Sequence, residues 1–136
     1  MRNICIITIL MLSTVCLSAQ SKKKIRESEL QSKITWRVDY VEGKEVKSKE
    51  KEEKFTTSGE IAEYIEYEVD GSTKSHIKYL YSAEDKLVKE ISLDKNGAVE
   101  QTIEYSYSGK LKTEKRTLNA KGKLVSKKIY EYKIYK

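Results

Sequence analysis

Apolar and polar residues alternate along most of the chain beyond residue 33. Ile34, Trp36, Val38 and Tyr40, for example, occupy every second position. Strict alternation is the period of a half-buried strand, because successive side chains point to opposite faces of a sheet. The pattern predicts eight strands, roughly over residues 34–41, 45–57, 61–69, 73–82, 87–94, 99–107, 111–119 and 123–135. These runs follow one another too closely for crossover helices, so we expect an all-β antiparallel meander in a single domain over residues 34–136.

The chain also repeats itself at an interval of about 25 residues. A shift of 26 residues superimposes Asp70-Gly71 on Asn96-Gly97. That shift and a further shift of 25 residues superimpose three Tyr-x-Tyr pairs, Tyr79/Tyr81, Tyr105/Tyr107 and Tyr130/Tyr132. Asp-Gly and Asn-Gly suit tight hairpin turns that need positive φ. Each unit is therefore predicted to be a two-stranded hairpin, with positive φ at Gly71 and Gly97.

The Tyr-x-Tyr pairs end alternate strands and are therefore expected at one end of the sheet. Alternate strands lie about 10 Å apart, so tyrosines of successive units cannot stack directly on one another. Leu87 and Leu111 begin the intervening strands, which predicts a ladder of alternating tyrosine and leucine across the sheet. An apolar face must also be covered, and a strongly curved or barrel-like sheet would do this. Two facing layers or an open twisted sheet remain alternatives.

One segment of the chain resembles a known family of repeats. Residues 105–111, Tyr-Ser-Tyr-Ser-Gly-Lys-Leu, are echoed by Tyr79-Leu80-Tyr81 followed by Asp85-Lys86-Leu87. Over roughly residues 61–132 the pattern resembles the Tyr-Asp (RHS-type) hairpin repeats of secreted bacterial proteins, which read Tyr-x-Tyr-Asp, two variable residues, Gly-Arg-Leu. The Asp of that motif is replaced here, by Ser82, Ser108 and Lys133. The resemblance implies hairpin architecture and export, whereas the chain is too short for the shells that long arrays build around a toxin.

The N-terminus has the pattern of a secretion signal. A short basic start precedes an uncharged apolar run over residues 4–12, and Ser18-Ala19-Gln20 supplies a small residue for cleavage. The apolar run is shorter than the roughly 20 residues of a membrane span. We therefore expect a signal peptide over residues 1–19, a periplasmic or extracellular location, and no transmembrane segment in the mature chain. Residues 20–33 are expected to be a flexible lead-in; a short helix over residues 21–33 is the alternative, but Ile25 and Leu30 alone would give it little apolar face.

Cys16 offers a second interpretation of the same signal. A lipid-modified cysteine would become the first residue of a mature lipoprotein. Val15 stands where such signals usually carry Gly, Ala or Ser. The ordinary signal is therefore favoured over lipoprotein anchoring.

The residues that ordinary catalysis requires are scarce. Both cysteines lie within the predicted signal, and His76 is the only histidine. His76 should lie on the polar face of its strand, solvated and without the Gly-x-Ser-x-Gly turn of a nucleophilic serine. A zinc site needs three or four His, Cys or carboxylate ligands. Residues 94–97 begin like a calcium loop, but Tyr105 stands where the twelfth-position Glu should be. We expect no enzymatic activity, no catalytic residue, no metal and no cofactor.

Charge and aromatic content narrow the possible partners. The net charge is +6, and basic and acidic residues are interleaved, as in residues 47–54. The one-signed run at residues 22–24 is expected to be a loose basic terminus. Interleaved charge and export argue against nucleic acid. The chain has ten tyrosines, which suit a half-buried sheet but can also form a binding surface for a glycan, a peptide or an envelope protein. The candidate surface residues are Tyr79, Tyr81, Tyr105, Tyr107, Tyr130 and Tyr132.

These observations favour a non-enzymatic exported binding or structural protein of the bacterial cell envelope. The alternative is a periplasmic carrier that holds a lipid or another apolar ligand inside an open β-barrel. The two differ in what fills the apolar side of the sheet. A core of the protein's own side chains favours the binding or structural protein, whereas a roomy apolar cavity favours the carrier.

Overall fold

The chain folds into one eight-stranded sheet preceded by a helix. A computed structural model describes residues 15–135, with side chains from residue 21 on. Helix α1 spans Val15–Glu27. The strands are β1 Ser32–Val41, β2 Lys44–Phe55, β3 Ile61–Tyr67, β4 Thr73–Tyr81, β5 Leu87–Leu93, β6 Val99–Ser108, β7 Leu111–Asn119 and β8 Leu124–Ile129. All neighbours pair antiparallel in chain order. The predicted all-β antiparallel meander of eight strands is confirmed.

The sheet is open. Strands β1 and β8 form its two edges, and no pairing joins them among the described residues. The barrel-like form of the prediction is therefore not confirmed. Charged side chains occupy both edges, with Lys33, Arg37 and Asp39 on β1 and Lys127 and Lys128 on the short strand β8. Charge on an exposed edge discourages pairing with the edge of another sheet.

The fold has no closed core in the part of the chain that the structure describes. None of its apolar side chains is buried. Extensive contacts between the described elements are found only between strands that are neighbours in the sheet. Most side chains of β3 to β7 are half-buried by their neighbours on the same face. Cross-strand pairs are therefore the main source of side-chain stabilisation, at about 0.2–1 kcal/mol each.

Five turns share one backbone geometry. In each, the first residue donates its N–H to the carbonyl of the fifth, and the fourth donates its N–H to the carbonyl of the first. The fourth residue has positive φ in every case, namely Gly59 (86°), Gly71 (85°), Asp85 (56°), Gly97 (83°) and Gly122 (76°). The positive φ predicted for Gly71 and Gly97 is confirmed. The first residue often adds a side-chain acceptor, as Asp94 does for the N–H groups of Asn96 and Ala98.

Replacing Asp85 with Gly is expected to raise the free energy of unfolding by about 0.5 kcal/mol, because glycine adopts positive φ without the strain of an L side chain. The change removes one hydrogen bond, in which the Ser58 hydroxyl donates to Asp85 Oδ1 at 2.9 Å on the surface. Asp85→Ala is the control, since it loses the same bond and keeps the strain. Denaturant melts should rank Gly above wild type and Ala below it. A glycine variant less stable than wild type would contradict this.

Helix α1 contacts the turn between β2 and β3. Gly59 is buried there, and a Cβ at this position would lie 2.7 Å from the backbone oxygen of Lys22. Lys22 also forms an ion pair with Glu60 at 2.5 Å. Residues 20–27 of the predicted lead-in belong to this helix, which meets the turn through the approach of Lys22 to Gly59 and the Lys22–Glu60 ion pair. The predicted cleavage point after Ala19 lies inside α1 and stays a prediction.

Candidate functional site

The two faces of the sheet carry different side chains. Tyr79 pairs with Glu90 and Glu90 pairs with Ile103, so Tyr79, Ile103 and Tyr105 share one side, which we name the aromatic face. Tyr81 and Tyr107 come two residues later on β4 and β6 and therefore lie on the same face. On the opposite side, which we name the charged face, a cross-strand row joins β5 to β8 through Lys89, Glu104, Arg116 and Lys127.

The second tyrosine of each Tyr-x-Tyr pair donates its hydroxyl to a backbone carbonyl 20 residues earlier in the chain. The three bonds are Tyr81 to Ile61 (2.8 Å), Tyr107 to Leu87 (2.8 Å) and Tyr132 to Lys112 (2.6 Å). Each acceptor lies where the register of its strand with the preceding strand shifts by one residue. These hydroxyls therefore satisfy carbonyl groups at strand bulges, which gives half of the predicted surface tyrosines a structural role.

The first tyrosines of the pairs have different surroundings. Tyr105 donates its hydroxyl to Glu90 Oε1 at 2.5 Å, whereas the Tyr79 hydroxyl has no partner among the described residues. Tyr130 follows β8, and its N–H donates to the Thr113 carbonyl at 3.0 Å. The structure thus places the six predicted residues on or just after three alternate strands, β4, β6 and β8.

The hydroxyls of Tyr79, Tyr81 and Tyr105 have raised pKa values. Burial, reinforced by the charge of Glu60, raises the pKa of Tyr81 to about 12. Burial and then the hydrogen bond to Glu90 raise the pKa of Tyr105, and burial raises the pKa of Tyr79. At neutral pH these side chains act as hydrogen-bond donors and apolar surface, because their ionised forms are disfavoured.

The predicted tyrosine–leucine ladder is correct for one unit and wrong for the next. Tyr81 lies directly opposite Leu87. Tyr107 lies opposite Lys112, because the loop between β6 and β7 has only two residues and Leu111 already pairs with Ser108. A lysine therefore takes the place expected for the second leucine.

A cleft of about 670 Å³ lies between α1 and the aromatic face. Its size is within the range of small-molecule sites. The apolar side chains of its wall are Ile25, Leu30, Phe55, Ile61, Tyr79, Tyr81 and Leu87. The alternating pattern of the strands could not reveal this cleft, because one wall belongs to the segment that contains α1.

Ion pairs cross the charged face. Lys89 lies 3.2 Å from Glu104, and Arg116 lies 3.7 Å from both Glu104 and Glu114. Lys127 lies 3.0 Å from Glu114. Basic side chains on this side of β7 and β8 are thus neutralised by neighbouring carboxylates.

His76 lies on the charged face as predicted, but it is not solvated. It pairs with Ile65 on one side and Leu93 on the other, and its side chain is 19% exposed. Its Nε2 lies 2.7 Å from Glu63 Oε1, while Lys54 Nζ lies 2.6 Å from Glu63 Oε2. One carboxylate therefore joins strands β2, β3 and β4.

Glu63→Gln is expected to destabilise the protein at pH 7 by more than it does at pH 3. The hydrogen bond from Lys54, helped by His76, holds the pKa of Glu63 below its usual range. A lowered pKa in the folded state stabilises the fold above the unfolded-state pKa of about 4.3, and this stabilisation is lost as the pH falls through the folded-state pKa. Denaturant melts at both pH values test this, with the exposed Glu100→Gln as the control. A difference that stays constant with pH would contradict it.

Within residues 21–135, whose side chains the structure describes, no three His, Cys, Asp or Glu side chains are grouped as a metal site would require. No helix within residues 15–135 has the length and apolar character of a membrane span. Comparison of the chain with protein-family models, curated proteins and solved structures gives no match.

Proposed function

We propose that this chain is a non-enzymatic exported protein of the bacterial cell envelope that binds its partner through the aromatic face. The supporting observation is an open sheet whose tyrosine-rich side is covered by no described element other than helix α1. Helix α1 lies over the β2–β5 end of that face only. An aromatic surface left half-exposed is typical of interaction sites, where tyrosine is enriched.

The recurring contacts support a hairpin-repeat architecture. Three tyrosine–carbonyl hydrogen bonds share a separation of 20 residues, and five turns share one geometry. We interpret each pair of strands as one unit of the kind that the Tyr-Asp resemblance implies. Stacking such units side by side lengthens the sheet and extends the aromatic face.

Export is the part of the proposal that rests on the N-terminal sequence. Expressed with its own N-terminus in a Gram-negative host, the protein is expected to begin at Gln20 in the periplasm or medium. The Ser18-Ala19-Gln20 sequence and the apolar run at residues 4–12 motivate this prediction. Intact-mass spectrometry is the measurement, and a lipid on Cys16 or retention of residues 1–19 would overturn it.

A second candidate function is a carrier for an apolar ligand. The cleft beneath α1 favours it, since an apolar wall and a volume of about 670 Å³ suit a small ligand. In this hypothesis the ligand lies between Ile25 of the helix and the side chains of Phe55 and Tyr81 on the sheet.

Amide NMR titrations of the exported protein distinguish the two functions. Soluble polysaccharide from the cell envelope is expected to bind the aromatic face and to shift the backbone amide signals of β4, β6 and β7. A fatty acid such as palmitate would instead shift signals of Ile25, Phe55 and Tyr81 if the carrier hypothesis is correct. Changes confined to the cleft would overturn the binding-surface proposal, and shifts from neither ligand would overturn both.

A further inference from the structure

Positive charge is concentrated at one edge of the sheet. Residues 109–136 contain ten Lys or Arg and two Asp or Glu, whereas the preceding 108 residues contain 17 and 19. Within this segment, residues 109–129 form β7, β8 and the turns beside them. The interleaving of charge that the sequence shows almost everywhere does not extend to this edge.

The two faces of the sheet differ in whether these basic side chains are paired with carboxylates. On the charged face, Glu104 and Glu114 pair with Arg116 and Lys127. On the aromatic face of the same strands, Lys112, Lys115 and Lys128 have no carboxylate within ion-pair distance in the part of the chain that the structure describes. These three ammonium groups are thus available to an anionic partner.

The three lysines lie beside two tyrosines. Tyr105 pairs with Lys115, Lys115 with Lys128, and Tyr107 with Lys112, so they occupy one face of adjacent strands about 4.8 Å apart. Lys112 Nζ lies 4.1 Å from the centre of the Tyr105 ring, and Lys115 Nζ lies 5.9 Å from it. Cation–π contacts hold these ammonium groups near the level of the rings. We name these five residues the lysine–tyrosine patch.

We propose that the lysine–tyrosine patch binds a linear acidic polysaccharide, an inference that rests on the proposed function and specifies its ligand. The acidic groups of the polymer pair with Lys112, Lys115 and Lys128. Its sugar rings lie across the strands, where their C–H groups contact the edges of the tyrosine rings, which needs no open ring face, and their hydroxyls meet water. Charge complementarity selects an anionic chain over a neutral one.

The geometry favours this occupant over two other polyanionic surfaces. Bases of single-stranded nucleic acid stack on open aromatic faces, whereas Lys112 covers one face of the Tyr105 ring. A bilayer is bound by apolar side chains that project into it beside cations. Here Tyr105, Tyr107, Lys112 and Lys115 are all half-buried within the sheet and do not project from it.

The test compares two triple variants that remove the same charge. The patch variant is Lys112→Gln/Lys115→Gln/Lys128→Gln. The control is Lys110→Gln/Lys121→Gln/Lys123→Gln, which changes lysines in or beside the turns at the ends of β7. With polygalacturonate as the probe at low salt, the patch variant is expected to bind at least about tenfold more weakly than wild type. The control should stay within about threefold, and higher salt should weaken wild-type binding.

Thermal melts and a single-lysine variant complete the test. Thermal melts establish that both triple variants fold, and Lys128→Gln alone, at an exposed lysine without a cation–π contact, is expected to weaken binding by about threefold. Equal losses in patch and control variants would overturn the proposal. Tighter binding of single-stranded DNA or of anionic phospholipid vesicles through the same lysines would overturn it too.

Failure of this inference is distinguishable from failure of the proposed function. Dextran, a neutral polymer, serves for the comparison. If dextran shifts the same aromatic-face amides and binds the patch variant as well as wild type, the binding function stands and the acidic specificity is overturned. If neither polymer shifts those amides and envelope polysaccharide also leaves them unchanged, the proposed function fails as well.

Discussion

Gly59→Ala is expected to lower the free energy of unfolding by at least about 2 kcal/mol and to release α1 from the sheet. Two costs act together at this position. Gly59 has φ of 86°, where a Cβ is strained, and the added carbon would lie 2.7 Å from the Lys22 carbonyl oxygen. The obstacle is backbone, which cannot rotate away as a side-chain tip can. Either the turn or the helix must therefore move.

Gly97→Ala is the matched control for this prediction. Gly97 occupies the same place in an equivalent turn with φ of 83°, and a Cβ added there would meet no atom within 4 Å. Gly97→Ala should lower the free energy of unfolding by only about 1 kcal/mol, which is the cost of a Cβ at positive φ. Denaturant melts give the two losses, and amide hydrogen exchange reports whether residues 21–27 lose protection. Equal losses with α1 still protected would show that the helix does not contact Gly59 as described.

The same substitution bears on the carrier hypothesis. The cleft has α1 as one wall, so release of the helix would remove that wall while leaving β6 to β8 unchanged. Binding of palmitate should then disappear in Gly59→Ala if the cleft is the site. Binding of an acidic polysaccharide at the lysine–tyrosine patch should persist.

The strands and turns were predictable because their signals are local. Alternation over four to eight residues marks a strand wherever it lies in the sheet. A glycine at the turn's positive-φ position identifies the turn without knowledge of the rest of the fold, as Gly71 and Gly97 show. Asp85 shows the limit of this signal, since it adopts the same conformation without being glycine.

The covering of each face was not predictable by the same means. Alternation says which side chains share a face, but it does not say whether another layer lies over that face. Ile65 and Leu93 lie opposite His76 on the charged face, and His76, which was expected to be solvated, is half-buried. Likewise, the contact between Lys22 and Gly59 that joins α1 to the turn involves backbone atoms and no apolar side chain. A pattern of apolar residues therefore could not predict it.

The candidate surface was predictable in its residue types and not in their roles. Tyr-x-Tyr is visible in the sequence, but the carbonyl that each second tyrosine binds depends on a bulge in a neighbouring strand. A bulge shifts pairing by one residue and leaves little trace in a single strand's pattern. The lysines of the patch were missed for a related reason, because Lys112 takes the place expected for Leu111 only once the two-residue loop sets the register.

Tyr81→Phe is expected to lower the free energy of unfolding by about 1–2 kcal/mol, whereas Tyr79→Phe should change it by less than about 0.5 kcal/mol. Both substitutions remove one hydroxyl from the same strand and face. Only the Tyr81 hydroxyl has a partner among the described residues, the Ile61 carbonyl at 2.8 Å. Its loss leaves a half-buried carbonyl at a bulge without its donor.

The equivalent bonds of the other units extend the comparison. Tyr107→Phe should cost about as much as Tyr81→Phe, because its hydroxyl bonds the Leu87 carbonyl at the same distance. Tyr132→Phe should cost less than about 0.5 kcal/mol, since Tyr132 is 48% exposed and water can replace its hydroxyl. Denaturant melts of the four variants give the series. Equal losses for Tyr79 and Tyr81 would mean that these hydrogen bonds do not stabilise the bulges, and the second tyrosine of each pair would then be as free as the first to face a ligand.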